Sequence, residues 1–394
     1  MLHLRWGITL TGWLLKTLEI LLRRRRMRRD HERRVRHHLR LARKRINYPP
    51  LRVYRQRTSY EMMSEELCAR RLRFSKEAMG RLCEMLKEDL KPNSNCRTAL
   101  TVEMKLTTAL NFFASGSFQH GISDICHISQ NTARTCIHQV MNAIYRKASE
   151  LIIFDTSPVK LKERSIAFYR IAGFPKVIGA VDGTHIALKA PGNDTVSFVN
   201  GKGFHSLNVM IVCDAQMRIL TVNANNRGSA HDSFVLESSM LHRSMTTPPG
   251  IKGWLLGDKG YPLRTWLMTS FRSTNNEAQK RYNRAHVTTR QVVERTISVL
   301  KSRFRCLDRS GGTLQYAPEI VSKIVIVCCA LHNFAIQHRL NIHPEDVLPP
   351  EMDELEEGNM EPDADVPPGA GVQGQAPSDA RAIRDRLAAA AFGH

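Results

Sequence analysis

The first clear pattern along the chain is helical and covers residues 60 to 150. Between Thr101 and Phe113 the apolar positions recur at the three-to-four-residue spacing of one helix face, and Gly116 ends the run. The apolar residues of this face are Met104, Leu106, Leu110 and Phe113. Strand-like alternation does not interrupt this part of the sequence. The pattern predicts an all-helical region.

One helix of this region begins at a polar cap. Ser129 is a favourable N-cap residue, and the turn behind it is polar, whereas the later turns carry an apolar face. The polar residues are Gln130, Asn131 and Arg134, and the apolar ones are Ile137, Val140, Met141 and Ile144. With the short helix before it, this segment is similar to a helix-turn-helix, whose second helix offers its first polar residues to DNA bases. The alternative is an ordinary capped helix in an all-helical subdomain.

The pattern changes after Phe174-Pro175, where short apolar and β-branched runs replace the helical spacing. These runs predict strands at Val177 to Val181, Ile186 to Leu188, Val209 to Val212, Ile219 to Val222 and Trp254 to Leu256. Residues 182 to 185 are predicted to form a tight turn. Helices are predicted to begin at Asp232 and to cover Arg290 to Phe304. Strands mixed with helices predict an α/β fold.

Three carboxylates occupy places from which the backbone can aim them at one point. Asp182 and Asp258 follow buried strands, and Glu294 lies on a helix that packs on the same sheet. Adjacent parallel strands would bring the two aspartates together despite the 75 residues between them. Carboxylate oxygens suit Mg²⁺ or Mn²⁺, and two such ions about 4 Å apart can clamp a phosphodiester during an in-line displacement. The sequence therefore indicates a nuclease or strand-transfer site.

Each of these residues, taken alone, has a simpler explanation. An aspartate before glycine commonly belongs to a turn, and Glu294 is placed to pair with Arg290 or Lys301 on its own helix. Asp232 has the position of a helix N-cap. His185 and His231 are expected to orient carboxylates or to be ordinary polar residues rather than to bind metal. Only the conjunction of the three acids favours the metal site.

Composition and charge narrow the class of partner. The chain has 394 residues and a formal net charge of +21, which favours a polyanion, with nucleic acid preferred over an anionic membrane. Nine cysteines are scattered without a CxxC pair, which argues against a disulfide scaffold or zinc finger and favours a reducing compartment.

The uneven charge marks the two ends of the chain, and the change of pattern between them completes a division into four predicted parts. Residues 1–57 carry +15 and are predicted to be a basic, partly disordered arm that imports the protein into the nucleus or contacts phosphates; a merely solvated arm is the alternative. Its apolar stretch is too short and interrupted to span a membrane. A helical domain at 58–165 and a nuclease domain at 166–340 follow. Residues 341–394 carry −9 and are expected to be disordered until a short helix, Arg381 to Phe392.

Several stretches, in this order, resemble Harbinger-type DDE transposases: residues 177–185, 256–262, 293–296 and 300–307, supported by residues 115–119, 200–208, 310–318 and 328–333. The likeness spans about residues 60 to 340 and extends to the last dozen. It implies an RNase H-like core in which Asp182, Asp258 and Glu294 form the metal-binding catalytic triad. Asp232 would be an additional acidic metal position. Ile297-Ser298 departs from relatives, which often have an aromatic residue and glycine there.

The resemblance also implies an activity and partners. The activity is metal-dependent hydrolysis of DNA by a transposase-derived endonuclease with two metal ions, Mg²⁺ or Mn²⁺. Residues expected to contact DNA are Lys259, Lys301, Arg303, Arg305 and Arg134. A separate Myb-like, SANT or trihelix DNA-binding protein is the expected partner, in the nucleus and also in the cytoplasm, while homo-oligomerisation stays open. The alternatives are a catalytically silent DNA-binding or regulatory protein and a protein-interaction module.

Overall fold

The computed structural model describes residues 22, 23, 26–28, 30–41, 56–92, 99–192, 195–248, 250–340 and 378–393. The chain divides into two compact units, residues 1–56 and residues 57–394. Within the first unit, residues 30–41 are helical and exposed. Most of the predicted basic arm, and the acidic tail from residue 341 to residue 377, lie outside the described residues.

The second unit starts with helices and continues with a sheet and further helices. The helices before the sheet are α1 (Glu65–Leu72), α2 (Lys76–Leu90), α3 (Val102–Ser115), α4 (Gln119–Cys126), α5 (Gln130–Leu151) and α6 (Pro158–Ala172). The strands are β1 (Val177–Ala187), β2 (Ser206–Cys213), β3 (Ile219–Arg227), β4 (Trp254–Leu256) and β5 (Leu267–Met268). The remaining helices are α7 (Asp232–Glu237), α8 (Met240–Thr246), α9 (Glu277–Arg303), α10 (Pro318–Gln337) and α11 (Ser378–Phe392).

Side-chain caps define where several of these helices begin. The Ser129 hydroxyl accepts a hydrogen bond from the Thr132 amide at the start of α5, as the sequence predicts. Gly116 ends α3 in the left-handed conformation, which also agrees with the prediction. The short helix α4, a turn through His127 and the helix α5 follow one another along the chain. That they form a DNA-binding helix-turn-helix stays a prediction.

The sheet is mixed, with strand order β3-β2-β1-β4-β5. Strands β1, β2 and β3 are antiparallel neighbours, whereas β4 runs parallel to β1 and β5 runs parallel to β4. The α/β prediction of a mixed sheet flanked by helices is confirmed. The predicted turn at residues 182–185 is wrong, because residues 180–187 of β1 all pair with β2 and the strand runs straight through.

Helices and sheet share the larger of two hydrophobic clusters, which contains residues of both predicted domains, such as Leu110, Ile144, Phe174 and Val209. The predicted domain border between residues 165 and 166 falls inside α6, so it does not separate two structural units. The helix α10 is long and apolar enough to cross a membrane by length and composition, but 72% of its apolar window is buried within the protein. It is therefore the central helix of this core. The cysteines of the described part are free and buried.

Candidate active site

Two of the predicted acids lie at the same edge of the sheet because of the parallel pairing between β1 and β4. The pairing aligns Ala180 with Leu256, and each strand places an aspartate two residues later. Asp258 follows the end of β4, while Asp182 lies inside β1 at the point where that strand loses its β4 neighbour. The predicted adjacency of the two strands is confirmed, although only one of the two aspartates ends a strand.

The guanidinium of Arg290 links all three acids of the predicted triad. Its Nη1 lies 3.1 Å from Asp182 Oδ2, and its Nη2 lies 3.7 Å from Asp258 Oδ1. Nη2 also donates a hydrogen bond to Glu294 Oε1, one helical turn further along α9. The Arg290 side chain is only 13% exposed. Side chains that are distant in sequence thus converge on a single cationic group.

Burial and charge act in opposite directions at this cluster. Burial raises the pKa of Asp182 to about 7, against the lowering effects of the Arg290 charge and of the hydrogen bond from the Gly183 amide. Burial disfavours the charged form of Arg290, but the charges of Asp182, Glu294 and Asp258 offset this and raise its pKa. The cluster therefore favours a positive charge at its centre.

A fourth carboxylate, Asp232, lies beside this cluster. Asp232 is the first residue of α7. The N-cap position, which the sequence assigns to Asp232, is occupied by His231. Asp232 Oδ1 accepts a hydrogen bond of 2.8 Å from Asn208 Nδ2 on β2. A Cβ atom added at Gly183 would lie 2.5 Å from the same oxygen, so the carboxylate packs directly against the β1 backbone. The absence of a side chain at position 183 permits this approach.

The two predicted histidines have different surroundings. The His185 ring forms a 3.0 Å hydrogen bond with Ser206 Oγ and makes an edge contact with the Phe204 ring. His231 is exposed and its side chain makes no capping hydrogen bond to α7. A role for either ring in orienting the carboxylates stays a prediction.

Two of the predicted DNA contacts need correction. Lys301 is 3% exposed, with its Nζ 3.4 Å from the His185 carbonyl, and Arg303 is 1% exposed. Arg303 donates to the carbonyls of Arg73 and Leu340. These cations lie inside the protein because other segments cover the end of α9, so they cannot contact a DNA backbone in this fold. Lys259 and Arg134 are exposed, and Arg305 is half-buried.

The sequence did not point to Tyr261, whose hydroxyl is buried and has no hydrogen-bond partner among the described residues. Burial raises the pKa of Tyr261, as do the charges of Asp232, Asp182 and Asp258, so the hydroxyl lies close to the acid cluster. Tyrosine in a run of strand and turn residues suggests only core packing. The linking role of Arg290 was also missed, since the helical spacing indicates just a pair with Glu294.

The acids are hard oxygen donors of the kind that Mg²⁺ and Mn²⁺ prefer, and they already surround a cation. Their present spacing suits the guanidinium. Within the described ranges, no group of three or more histidine, cysteine or acidic side chains is arranged closely enough to hold a metal ion. The chemistry of the donors thus fits a divalent ion. In this structure, however, the guanidinium of Arg290 occupies the place between the three acids.

Comparisons with known proteins relate the chain to nuclease families. Residues 181–333 match the family described as DDE superfamily endonuclease. The nuclease-named protein HARBI1 of Homo sapiens is 40% identical over 269 residues, which cover 68% of this chain and 77% of that protein. HARBI1 of Rattus norvegicus is 38% identical and covers 74% of this chain and 85% of its own length. An Arabidopsis thaliana protein named antagonist of like heterochromatin protein 1 is 24% identical, over 67% and 71% respectively. No solved structure matches the chain significantly.

Proposed function

Because the chain belongs to the HARBI1 family of Harbinger transposase-derived nucleases, we propose that it is a metal-dependent endonuclease that hydrolyses phosphodiester bonds of DNA. The observation that carries the proposal is the convergence of Asp182, Asp258 and Glu294 on one cationic centre. Ordinary surface acids do not have to converge in this way, whereas a metal-dependent site for phosphodiester hydrolysis requires acids that converge on one point. In this proposal the three acids are the catalytic residues.

Asp182, Asp258 and Glu294, with Asp232 beside them, would hold Mg²⁺ or Mn²⁺ in the active protein. A bound divalent ion, or a pair of them, would supply Lewis-acid polarisation of the phosphodiester and stabilise charge on the attacking and leaving oxygens. The protein's own contribution is to fix the carboxylates. Asn208 holds Asp232 through a hydrogen bond, and the Gly183 amide donates to Asp182 Oδ1 at 2.9 Å.

DNA would meet the chain through exposed cations and the polar face of α5. Lys259 follows Asp258 directly and is exposed, so it is suited to hold a phosphate next to the acids. On α5 the exposed residues Asn131, Arg134 and Gln139 share a face, and these residue types hydrogen-bond to base edges in the major groove. The net charge of +21 supports such binding in general.

The same proposal includes a DNA-binding partner of the Myb-like, SANT or trihelix type. It also includes a nuclear location with a cytoplasmic fraction.

A second function, catalytically silent binding to DNA or chromatin, is favoured by one observation: Arg290 fills the centre of the acid cluster. The name of the Arabidopsis relative, an antagonist of a heterochromatin protein, points the same way.

Nicking of supercoiled plasmid DNA separates the two functions. We expect Mg²⁺- or Mn²⁺-dependent nicking by the wild type and its loss in Asp258→Asn. The loss should exceed the roughly 10–100-fold effect that follows removal of an outer hydrogen-bond partner of a metal ligand. Asp379→Asn is the matched control, because it removes the same charge from an exposed position on α11. Equal nicking by wild type and Asp258→Asn would contradict the site, and DNA binding without nicking would favour the silent alternative.

A further inference from the structure

The most unusual feature of the site is the place of Arg290. In the described part of the chain, the ion pairs of Asp182, Asp258 and Glu294 are all made with this one guanidinium. Arg290 and Glu294 lie on the same helix, α9, and from there the guanidinium also reaches the two aspartates of the sheet. The Arg290 side chain is largely buried. A planar guanidinium spreads five donors over three nitrogens and so suits carboxylates that lie apart, whereas an ammonium group offers three donors from a single nitrogen.

The space held by this guanidinium is also the space a divalent ion needs. Mg²⁺ binds carboxylate oxygens at 2.0–2.1 Å, whereas hydrogen bonds from a guanidinium nitrogen are about 2.7–2.9 Å long. Acids that bond to the guanidinium are therefore too far apart to share an ion, in agreement with the lack of a metal-ready cluster in the described ranges. The two kinds of cation exclude each other at the centre of the cluster.

The backbone of α9 is held in place on both sides of Arg290. The preceding turn of α9 is fixed, because the buried His286 ring donates a 3.1 Å hydrogen bond to the Met268 carbonyl. The following turn is fixed by the buried Val293. Arginine has a long side chain with several rotatable bonds, so a change of rotamer can withdraw the charge without displacing the helix.

Resting on the proposed function, we propose that Arg290 is a built-in competitor of the divalent cation. In the metal-free protein it holds the acids together against their mutual repulsion. Metal binding requires its guanidinium to turn out of the cluster. The residue therefore sets the metal concentration at which the site becomes loaded, which is a property separate from the chemistry of the loaded site.

The experiment measures Mn²⁺ binding to the full-length protein by titration calorimetry and by the spin resonance of free Mn²⁺. For Arg290→Gln we expect about tenfold or greater tightening of Mn²⁺ affinity, because a positive charge near the site is removed. The metal-free melting temperature should fall, since the acids lose their counter-charge, and saturating Mn²⁺ should restore more of it than in the wild type. Arg295→Gln removes the same charge from an exposed position of α9 and should change neither quantity appreciably.

Arg290→Lys keeps the charge but presents its donors from a single nitrogen on a shorter reach, so its Mn²⁺ affinity should lie between those of the wild type and Arg290→Gln. It also carries the test if Arg290→Gln does not fold. Unchanged or weaker Mn²⁺ affinity in the Arg290 variants, with normal binding by the wild type, would overturn the inference but leave the nuclease proposal intact. No site-specific binding by any form, with Asp182→Asn equal to the wild type, would overturn both.

Discussion

At the scale of single residues, the site depends on close approaches that one added atom would prevent. Gly183 shows this most directly, because the Asp232 carboxylate lies where a Cβ at that position would be. Asp232 is held there by Asn208, which donates to it and to the Ala230 carbonyl. The fourth acid can thus approach β1 next to Asp182 because position 183 of that strand carries no side chain.

We expect Gly183→Ala to push the Asp232 carboxylate away and to weaken Mn²⁺ binding and nicking. The forced displacement should cost roughly 1–3 kcal/mol of unfolding free energy, as is typical of overpacking. Gly121→Ala is the control: this glycine is exposed in α4 with open space around it, and alanine there should stabilise the helix by up to about 1 kcal/mol. Normal metal binding by Gly183→Ala would mean that Asp232 takes no part in the site.

The sequence predicts that three distant acids come together but not what surrounds them. Asp182, Asp258 and Glu294 are placed from apolar patterns that locate strands and a helix face, although Asp182 lies inside β1 rather than at its end. Their catalytic role stays a prediction. The burial of Lys301 and Arg303 could not be foreseen, because helical spacing defines a face without saying which distant segment covers it. Polar residues were assigned to solvent by default, and this default was wrong where α9 ends.

At the scale of elements, the terminal helix α11 is the least expected contact. Its sequence predicts a short helix near residues 381–392, and the observed helix is Ser378–Phe392, but no pattern indicates where it packs. The Arg384 guanidinium lies 4.0 Å from the centre of the Phe271 ring. The Phe392 ring lies 5.7 Å from that of Phe174 and 5.8 Å from that of Tyr282 on α9. The end of the chain thus supports the helix that carries Arg290 and Glu294.

We expect Phe392→Ala to lower the free energy of unfolding by about 1–3 kcal/mol, because the substitution removes aromatic contacts between α11 and α9. Urea denaturation of the full-length protein measures this. Phe118→Ala removes the same side chain from a position that is 74% exposed, and its effect should stay within about 0.5 kcal/mol. Equal stability of the two variants would show that α11 does not support α9 in solution.

Element boundaries show what local patterns can and cannot predict. The helices α3 and α5 were located from spacing and caps, both of which are local. β1 was instead divided by a predicted turn, because Asp-Gly favours turns in isolation. The antiparallel partner β2, more than 20 residues later, holds this segment extended. Pairing between distant segments is a tertiary effect, and it overrode the local preference.

At the scale of the whole molecule, the helices and the sheet of residues 57–394 form one compact unit, and the helix α10 is buried within it. The α10 residue Asn333 accepts a hydrogen bond from the Ile219 amide of β3 and donates to the Leu151 carbonyl of α5. One side chain therefore joins the helical part to the sheet. The predicted division into separate domains follows the change from a helical to a strand-like pattern, and such a local change carries no information on shared packing.

The buried histidine of this central helix gives the molecule a pH-dependent stability. His332 is fully buried, its Nε2 lies 2.9 Å from the Met217 carbonyl, and burial lowers its pKa to about 4. Between this value and the ordinary value near 6.5, the unfolded chain binds a proton that the folded protein does not. The stabilisation is complete above about pH 6.5 and is lost as the pH falls toward 4.

We expect His332→Gln to reduce the slope of the unfolding free energy against pH within that window, because glutamine does not titrate. The reduction corresponds to about one proton, which is roughly 1.4 kcal/mol per pH unit. Urea unfolding at intervals between pH 4 and pH 7, in the presence of a chelator, provides the slopes. The raised pKa of Asp182 acts with the opposite sign, since the folded protein holds that proton up to about pH 7, but it is common to both proteins and cancels in the difference. His120→Gln alters an imidazole whose side chain is 76% exposed and should leave the wild-type slope unchanged. If the slopes of wild type and His332→Gln coincide, the folded protein accepts a proton at this position, and the central helix must open to water below pH 6.5.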